Sequence, residues 1–220
     1  MKYKAVQHKS IDVFYLDELD GGGNYFGQDY IRFVSEHIGK VDRVFEWCAG
    51  PGFIGFSLLA SNLCNTLCLA DINPKAVDVC KETIMKNHLE DRASLYLSDC
   101  LDSIPEYESF DLVVGNPPHS NTSTIHQFPR LLYMDNNWKI HQRFYQNITR
   151  FMRPSASVII QENCNDSSID SFQQMINQGG MRVIDVSPCQ TDSRMYYIWS
   201  SLQNQTIELP SLNETRSSSK

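Results

Sequence analysis

From about residue 30 onward the chain alternates short apolar runs with stretches whose apolar positions recur at helical spacing. RVFEWCA (43–49), TLCLADI (66–72), SLYLSD (94–99), DLVVGN (111–116) and ASVIIQENC (156–164) read as strands. Between them, FIGFSLLASNL (53–63), PKAVDVCKETIMKNH (74–88), NNWKIHQRFYQNITRFM (136–152) and SSIDSFQQMINQGG (167–180) read as helices. Pro74 opens the second of these, and glycine closes the last. MRVIDVSPC (181–189) and RMYYIWSSLQ (194–203) form a final pair, near enough in sequence to be antiparallel neighbours. Strands alternating with helices predict an α/β fold: a doubly wound, mostly parallel seven-stranded sheet, helices on both faces, and an antiparallel closing strand.

The two ends break this pattern. Residues 1–28 stand outside the alternation and are expected to form a lid, a hairpin or a substrate segment; the glycine-rich DGGGNYFGQDY (20–30) is expected to precede the first core helix. Residues 29–203 form the expected single domain. The polar stretch NQTIELPSLNETRSSSK (204–220) has the composition of a disordered tail.

Composition narrows the class. At 220 residues, with 41% hydrophobic and 20% charged residues, the chain suits one soluble domain. No apolar run approaches the length of a membrane span, and MKYKAVQHKSIDVFYLDELD lacks the features of a signal peptide. Seven scattered cysteines point to a reduced, cytoplasmic protein. Cys64 and Cys68 have no second pair to complete a zinc site, so no metal is expected. A net charge of −7 without a basic cluster argues against a nucleic-acid partner.

The chemistry gathers at strand ends. Between the first strand and the first helix lies EWCAGPGFIG (46–55), whose glycines at 50, 52 and 55 match G-x-G-x-x-G in the required context. Asp71 closes the second strand, where a carboxylate can accept both hydroxyls of a ribose. A dinucleotide and S-adenosylmethionine both fit this pattern. Glu46 favours the cationic ligand, because a carboxylate inside the loop repels a pyrophosphate. Asp99, at the end of the third strand, can accept from an adenine amino group. The fourth strand runs into Asn116-Pro117-Pro118-His119, and prolines can neither donate to a sheet nor continue a helix. The chain must turn there, leaving the Asn116 side chain and the proline carbonyls as fixed acceptors on the edge where open α/β sheets bind ligands.

Taken in order, EWCAGPGFIG, ADIN, LSDC and VVGNPPH resemble the class I S-adenosylmethionine-dependent methyltransferases over roughly residues 25–203. The branch is the one with an (N/D)PP(Y/F/W/H) motif, which methylates protein glutamine and nucleobase amino groups. The resemblance implies a Rossmann-like methyltransferase fold with S-adenosyl-L-methionine as cofactor. It implies that Glu46, Gly50 and Gly52 hold the methionine part, with Cys48 standing where the commoner pattern has glycine. It implies Asp71 on the ribose, Ile72 against the adenine, and Asp99 with Cys100 at the adenine edge. Asn116, bordering the cofactor, and the Pro117 carbonyl would accept from a target NH2, and His119 would stack on the planar group or accept a proton. Two fixed acceptors on that NH2 push electron density onto a poor nucleophile and hold it in line.

Beyond the motif, His126, Phe128, Arg130, Tyr133 and Trp138 are candidates to line a planar substrate, and Tyr25, Phe26, Gln28 and Asp29 to form a lid. The expected activity is N-methylation of a planar nitrogen on a small molecule, peptide or protein side chain. A nucleobase amino group is the alternative acceptor. A nicotinamide-dependent oxidoreductase and a non-catalytic cofactor-binding scaffold remain as alternatives of other classes.

Overall fold

The protein, seen here as a computed structural model, is described over residues 3–20, 23–121 and 130–204, with side chains from Asp29 in the second stretch and from Leu131 in the third. Its sheet is built from β3 (Val41–Trp47), β4 (Cys64–Asp71), β5 (Ala93–Leu97), β6 (Phe110–Gly115), β7 (Met152–Asn163), β8 (Met181–Pro188) and β9 (Met195–Leu202). The spatial order is β5-β4-β3-β6-β7-β9-β8. β5, β4, β3, β6 and β7 are parallel, whereas β9 pairs antiparallel with both β7 and β8. This is the seven-stranded arrangement expected from the pattern.

The order reverses at β3: successive strands run outward to β4 and β5, then the chain crosses back to β6. Such a switch point opens a crevice beyond the carboxyl ends of the strands. Side chains alternate across the sheet, as a period of two requires. Val44, Leu67, Leu69 and Val114 join one core with α1 (Gly23–His37), α2 (Phe53–Ala60) and α3 (Pro74–Lys86). Phe45, Trp47, Cys68 and Val113 join the opposite core with α5 (Lys139–Asn147) and α6 (Gln173–Gln178), α4 being the short turn Arg130–Tyr133. Seven of the eight residues of α2 are buried, which explains its lack of a polar face.

The N-terminal segment is a hairpin. β1 (Lys4–His8) pairs antiparallel with β2 (Ile11–Tyr15), whose Ile11 and Val13 enter the core with α1–α3. Asn87 of α3's C-terminus clamps Asp12 through its amide, and Thr83 Oγ1 accepts the Phe14 N–H at 2.9 Å. The hairpin is thus part of the fold. The expected boundary at residue 28 falls inside α1, which starts at Gly23, so the glycine-rich stretch runs into the helix instead of preceding it. Asp29, expected on a lid, is buried and accepts from the Thr191 hydroxyl at 2.7 Å, tying α1 to the segment between β8 and β9.

The helix expected over 136–152 is broken. Asn137 and Trp138 have φ of 55° and 54°, and the Asn137 N–H donates to Asn121 Oδ1 at 2.6 Å instead of joining a helical ladder. The α-helix therefore starts at Lys139 and ends in a 3₁₀ turn, Ile148–Phe151. The expected helix over 167–180 shortens similarly, because a reciprocal cap between Ser168 and Ser171 closes a 3₁₀ turn before α6. Among the described residues, no helix is long and apolar enough to cross a membrane.

Candidate active site

Beyond the carboxyl ends of β3, β4, β5 and β6 lies a cavity of about 670 Å³, a size that suits a small-molecule ligand. Glu46, Cys48, Gly50, Asp71, Ile72, Asp99, Cys100, Asn116 and His119 all border it, so one wall collects residues from four separate strand ends. Four carboxylates, those of Glu46, Asp71, Asp99 and Asp192, face one guanidinium, that of Arg194. Asp192 and Arg194 neutralise each other at 2.7 Å. Arg143 engages Asp99 and burial keeps Glu46 largely protonated near pH 7, so the excess rests on Asp71, where a negative charge disfavours a phosphate and suits a cation.

The loop after β3 is held from two sides. Glu46 Oε2 accepts the Gly55 N–H at 2.6 Å and Oε1 the Ile54 N–H at 3.3 Å, satisfying orphan donors at the start of α2. Burial pushes the Glu46 carboxyl up to about 8 in spite of these donors. Asp71 Oδ2 accepts the Gly50 N–H at 2.8 Å, and Oδ1 accepts the Asn73 N–H at 2.8 Å. Burial also raises Asp71, opposed by these backbone donors. Ile72 is 46% exposed although apolar, and it borders the cavity.

The glycines divide their labour. Gly50 has φ +52° and a Cβ there would meet open space, so its backbone faces the cavity unobstructed. Gly52, expected to let a ligand approach, does not border the cavity. It has φ +79° and its absent Cβ would lie 2.7 Å from the Phe56 ring, so it serves the turn and the packing of α2. At Gly55 a Cβ would meet Glu46 Oε2 at 2.6 Å. Cys48 adopts φ +52° with its side chain in place, as does Cys100 at +55°, a conformation most L residues avoid.

At the end of β6 the Tyr30 hydroxyl donates to the Gly115 carbonyl at 2.7 Å, fixing the strand just before the motif. Asn116, Pro118 and His119 form the wall there, whereas Pro117 is buried and not part of it. The Asn116 Oδ1 is buried and has no hydrogen-bond partner among the described residues. Leaving such an acceptor unpaired costs about 1–3 kcal/mol, so an unpaired one in a cavity wall marks a place for a donor.

The other expected residues distribute as follows. Asp99 borders the cavity, but its Oδ1 is also engaged by Arg143 at 2.9 Å. Tyr133 is in the wall. Trp138 is not: it is buried in the core, edge-on to His141 and Phe172, because the left-handed turn at 137–138 carries it inward. His126 and Phe128, and the side chains of Tyr25, Phe26, Gln28 and Arg130, lie outside the described residues.

Sequence reading missed a buried polar group beside the motif. His141 Nδ1 lies 2.6 Å from Asp135 Oδ2 and its Nε2 2.8 Å from Glu162 Oε1, with all three side chains essentially inaccessible. Burial alone would lower His141, but the two carboxylates outweigh it and push the imidazole up to about 9. The available signal was Gln161-Glu162 inside the apolar run of β7, since a carboxylate in a buried strand requires a partner.

Residues 6–131 match the family model described as the methyltransferase small domain. Among curated proteins, the chain is similar to the release factor glutamine methyltransferase of Rhodopirellula baltica, 27% identical over 145 residues, covering 66% of this chain and 44% of that protein. It is also similar to the ribosomal protein uL3 glutamine methyltransferase of Francisella tularensis, 33% identical over 94 residues, covering 42% and 29%. The chain thus spans less than half the length of these relatives. Among solved structures, the T. Thermophilus 16S rRNA N2 G1207 methyltransferase in complex with AdoMet and guanosine superposes with a TM-score of 0.63 at 13% identity, covering 92% of this chain and 50% of that one. The hMettl16 catalytic domain superposes with a TM-score of 0.64 at 13% identity, covering 84% and 71%. These likenesses show a shared Rossmann-like fold. With more than half of its 220 residues matched by the family model, the chain belongs to the methyltransferase small domain family.

Proposed function

We propose that the cavity binds S-adenosyl-L-methionine and that the protein methylates a planar nitrogen, with an amide NH2 of a peptide or protein as the favoured acceptor. The observation that carries this reading is Asn116, a residue lining the cavity whose buried Oδ1 has no hydrogen-bond partner among the described residues. The donor set fits the cofactor. Asp71 offers carboxylate lone pairs for ribose hydroxyls, Ile72 an exposed apolar surface for the adenine, and Asp99 an acceptor for its amino group. Cys100 stands beside Asp99, Gly50 leaves room along the backbone, and Glu46 supplies a carboxyl that a neighbouring cation would ionise. When bound, S-adenosylmethionine supplies an electrophilic methyl group on sulfur.

Asn116 would orient the acceptor nitrogen by taking a hydrogen bond from its NH2, with His119 alongside the planar group; Pro117, expected as a second acceptor, lies outside the cavity wall. Curated relatives are named for glutamine in a release factor and in a ribosomal protein, which supports a protein acceptor. The acidic wall supports it too, since phosphate-rich substrates are repelled. The same wall disfavours a nicotinamide dinucleotide. A reduced, cytoplasmic setting agrees with this substrate class.

Calorimetry with S-adenosylhomocysteine and with NAD tests the cofactor: the first should bind and the second should not. Mass spectrometry across glutamine peptides, release-factor protein, nucleosides, RNA and amine metabolites should then show a gain of one CH2 unit on an amide-bearing polypeptide. Methylation of RNA alone would overturn the acceptor, and preferential NAD binding would overturn the cofactor.

A further inference from the structure

Glu162, near the carboxyl end of β7, stands between two histidines. Its Oε1 lies 2.8 Å from His141 Nε2, and its Oε2 lies 3.4 Å from His119 Nδ1. A carboxylate oxygen only accepts, so His141, with a carboxylate at each nitrogen, carries both ring protons. The same rule makes His119 Nδ1 the donor toward Glu162, which leaves Nε2 of the neutral ring with its lone pair. Asp135 is itself anchored by the backbone N–H groups of Ile140 and His141, at 2.9 and 3.1 Å. The rings of Trp47, Trp138 and Phe172 enclose His141.

Charge gives this array its direction. Two carboxylates around one imidazolium leave one negative charge buried next to His119, whose side chain is 19% exposed and borders the cavity. Other titratable groups acting on the array are Tyr145 of α5, Tyr196 of β9, Tyr30 of α1 and Cys48 after β3. Burial pushes all four up, so each is neutral near pH 7. The surplus charge is therefore available to a second cation, and the imidazolium of His119 is the one in reach.

We propose that Glu162, backed by His141 and Asp135, is a positioning residue that holds His119 through Nδ1–H, so that His119 Nε2 takes the proton leaving the methylated nitrogen. The proposal rests on the N-methyltransferase reading. In the step, the nitrogen lone pair forms the new N–C bond while the C–S bond breaks and its electron pair stays on sulfur, which becomes a neutral thioether. The proton leaves nitrogen for His119 Nε2, and Glu162 Oε2 meets the charge of the resulting imidazolium. This assigns His119 a catalytic role beyond stacking and explains why an imidazole follows the two prolines.

Nitrogen-15 spectra of the histidine-labelled full chain test this without any substrate, with His119 identified by the signals lost in His119→Gln. The expected neutral ring has its proton on Nδ1, and Glu162→Gln weakens that preference, moving a measurable fraction of the proton to Nε2. On the acceptor found by mass spectrometry, His119→Phe keeps an aromatic face but loses roughly 100-fold in turnover, recovering as pH rises. A neutral His119 protonated at Nε2, or full turnover in His119→Phe, would overturn the proposal. S-adenosylhomocysteine titrated into the same sample separates the two levels. Binding with the wrong tautomer removes only the role of Glu162, whereas no binding removes the methyltransferase reading as well.

Discussion

Asp71 Oδ2 accepts the backbone N–H of Gly50 at 2.8 Å, so the residue expected to hold the cofactor also braces the loop that surrounds it. Asp71→Ala removes the ribose acceptor and strands the N–H groups of Gly50 and Asn73. Affinity for S-adenosylhomocysteine should fall by about 1.5–3 kcal/mol per hydrogen bond lost, and the melting temperature should fall with it. Calorimetry and a thermal melt on one sample read both. A lower melting temperature with unchanged affinity would place the ribose elsewhere.

Glu46 couples ligand binding to protons. Burial raises its carboxyl from 4.5 to about 8, so the folded protein holds a proton that the unfolded chain releases. Stability from this source is present below pH 4.5 and is lost as pH rises through about 8. A ligand ammonium beside Glu46 favours the ionised carboxylate, so S-adenosylhomocysteine binding at pH 7 should release a fraction of a proton. Calorimetry in buffers of different ionisation enthalpy measures that release, which Glu46→Gln should abolish. No release in the parent would mean that the ligand's charge lies away from Glu46.

The Asp135–His141–Glu162 group has its own signature. A histidine raised from 6.5 to about 9 stabilises the fold fully below pH 6.5 and loses that contribution as pH rises through about 9. The contribution is on the order of 3 kcal/mol. Urea unfolding of the parent should weaken across that window, and His141→Gln should be less stable at pH 6 with a flatter profile above it. Parallel profiles for the two would show that His141 is neutral in the folded state.

Gly52 separates packing from binding. With φ +79° and a would-be Cβ 2.7 Å from Phe56, Gly52→Ala should cost about 1–3 kcal/mol of stability. Adding Phe56→Leu should recover the steric part and leave the backbone part, as read by urea midpoints. Normal stability combined with lost cofactor binding would return Gly52 to the ligand wall.

Much of this architecture is legible in the chain because local signals and tertiary needs coincide. The two-residue alternation of Val44, Phe45, Glu46 and Trp47 matches a strand buried on both faces, and Pro74 with the Asn73 cap opens α3 where the pattern places it. Asp71, Asp99 and Asn116 are legible as a site because each ends a strand on one edge. What escapes depends on contacts distant in sequence. Trp138 turns inward because Asn121 captures the Asn137 N–H, and no periodicity encodes that bond. Gly52 has the spacing of a ligand loop, yet its missing side chain makes room for Phe56. His141 and Glu162 are 21 residues apart and meet only once α5 packs over β7.

The central claim is that the free acceptor of Asn116 acts on the target nitrogen and hardly on the cofactor. Single-turnover kinetics of Asn116→Ala on the acceptor identified by mass spectrometry, beside calorimetry with S-adenosylhomocysteine, test it most directly. Methyl transfer should slow by about 2–4 kcal/mol of barrier, the range for loss of one preorganised polar group, and Asn116→Asp should be milder because a carboxylate still accepts. Cofactor affinity should stay within a few-fold of the parent. Full-rate methyl transfer by Asn116→Ala would contradict the account, reducing the two prolines and their asparagine to a turn.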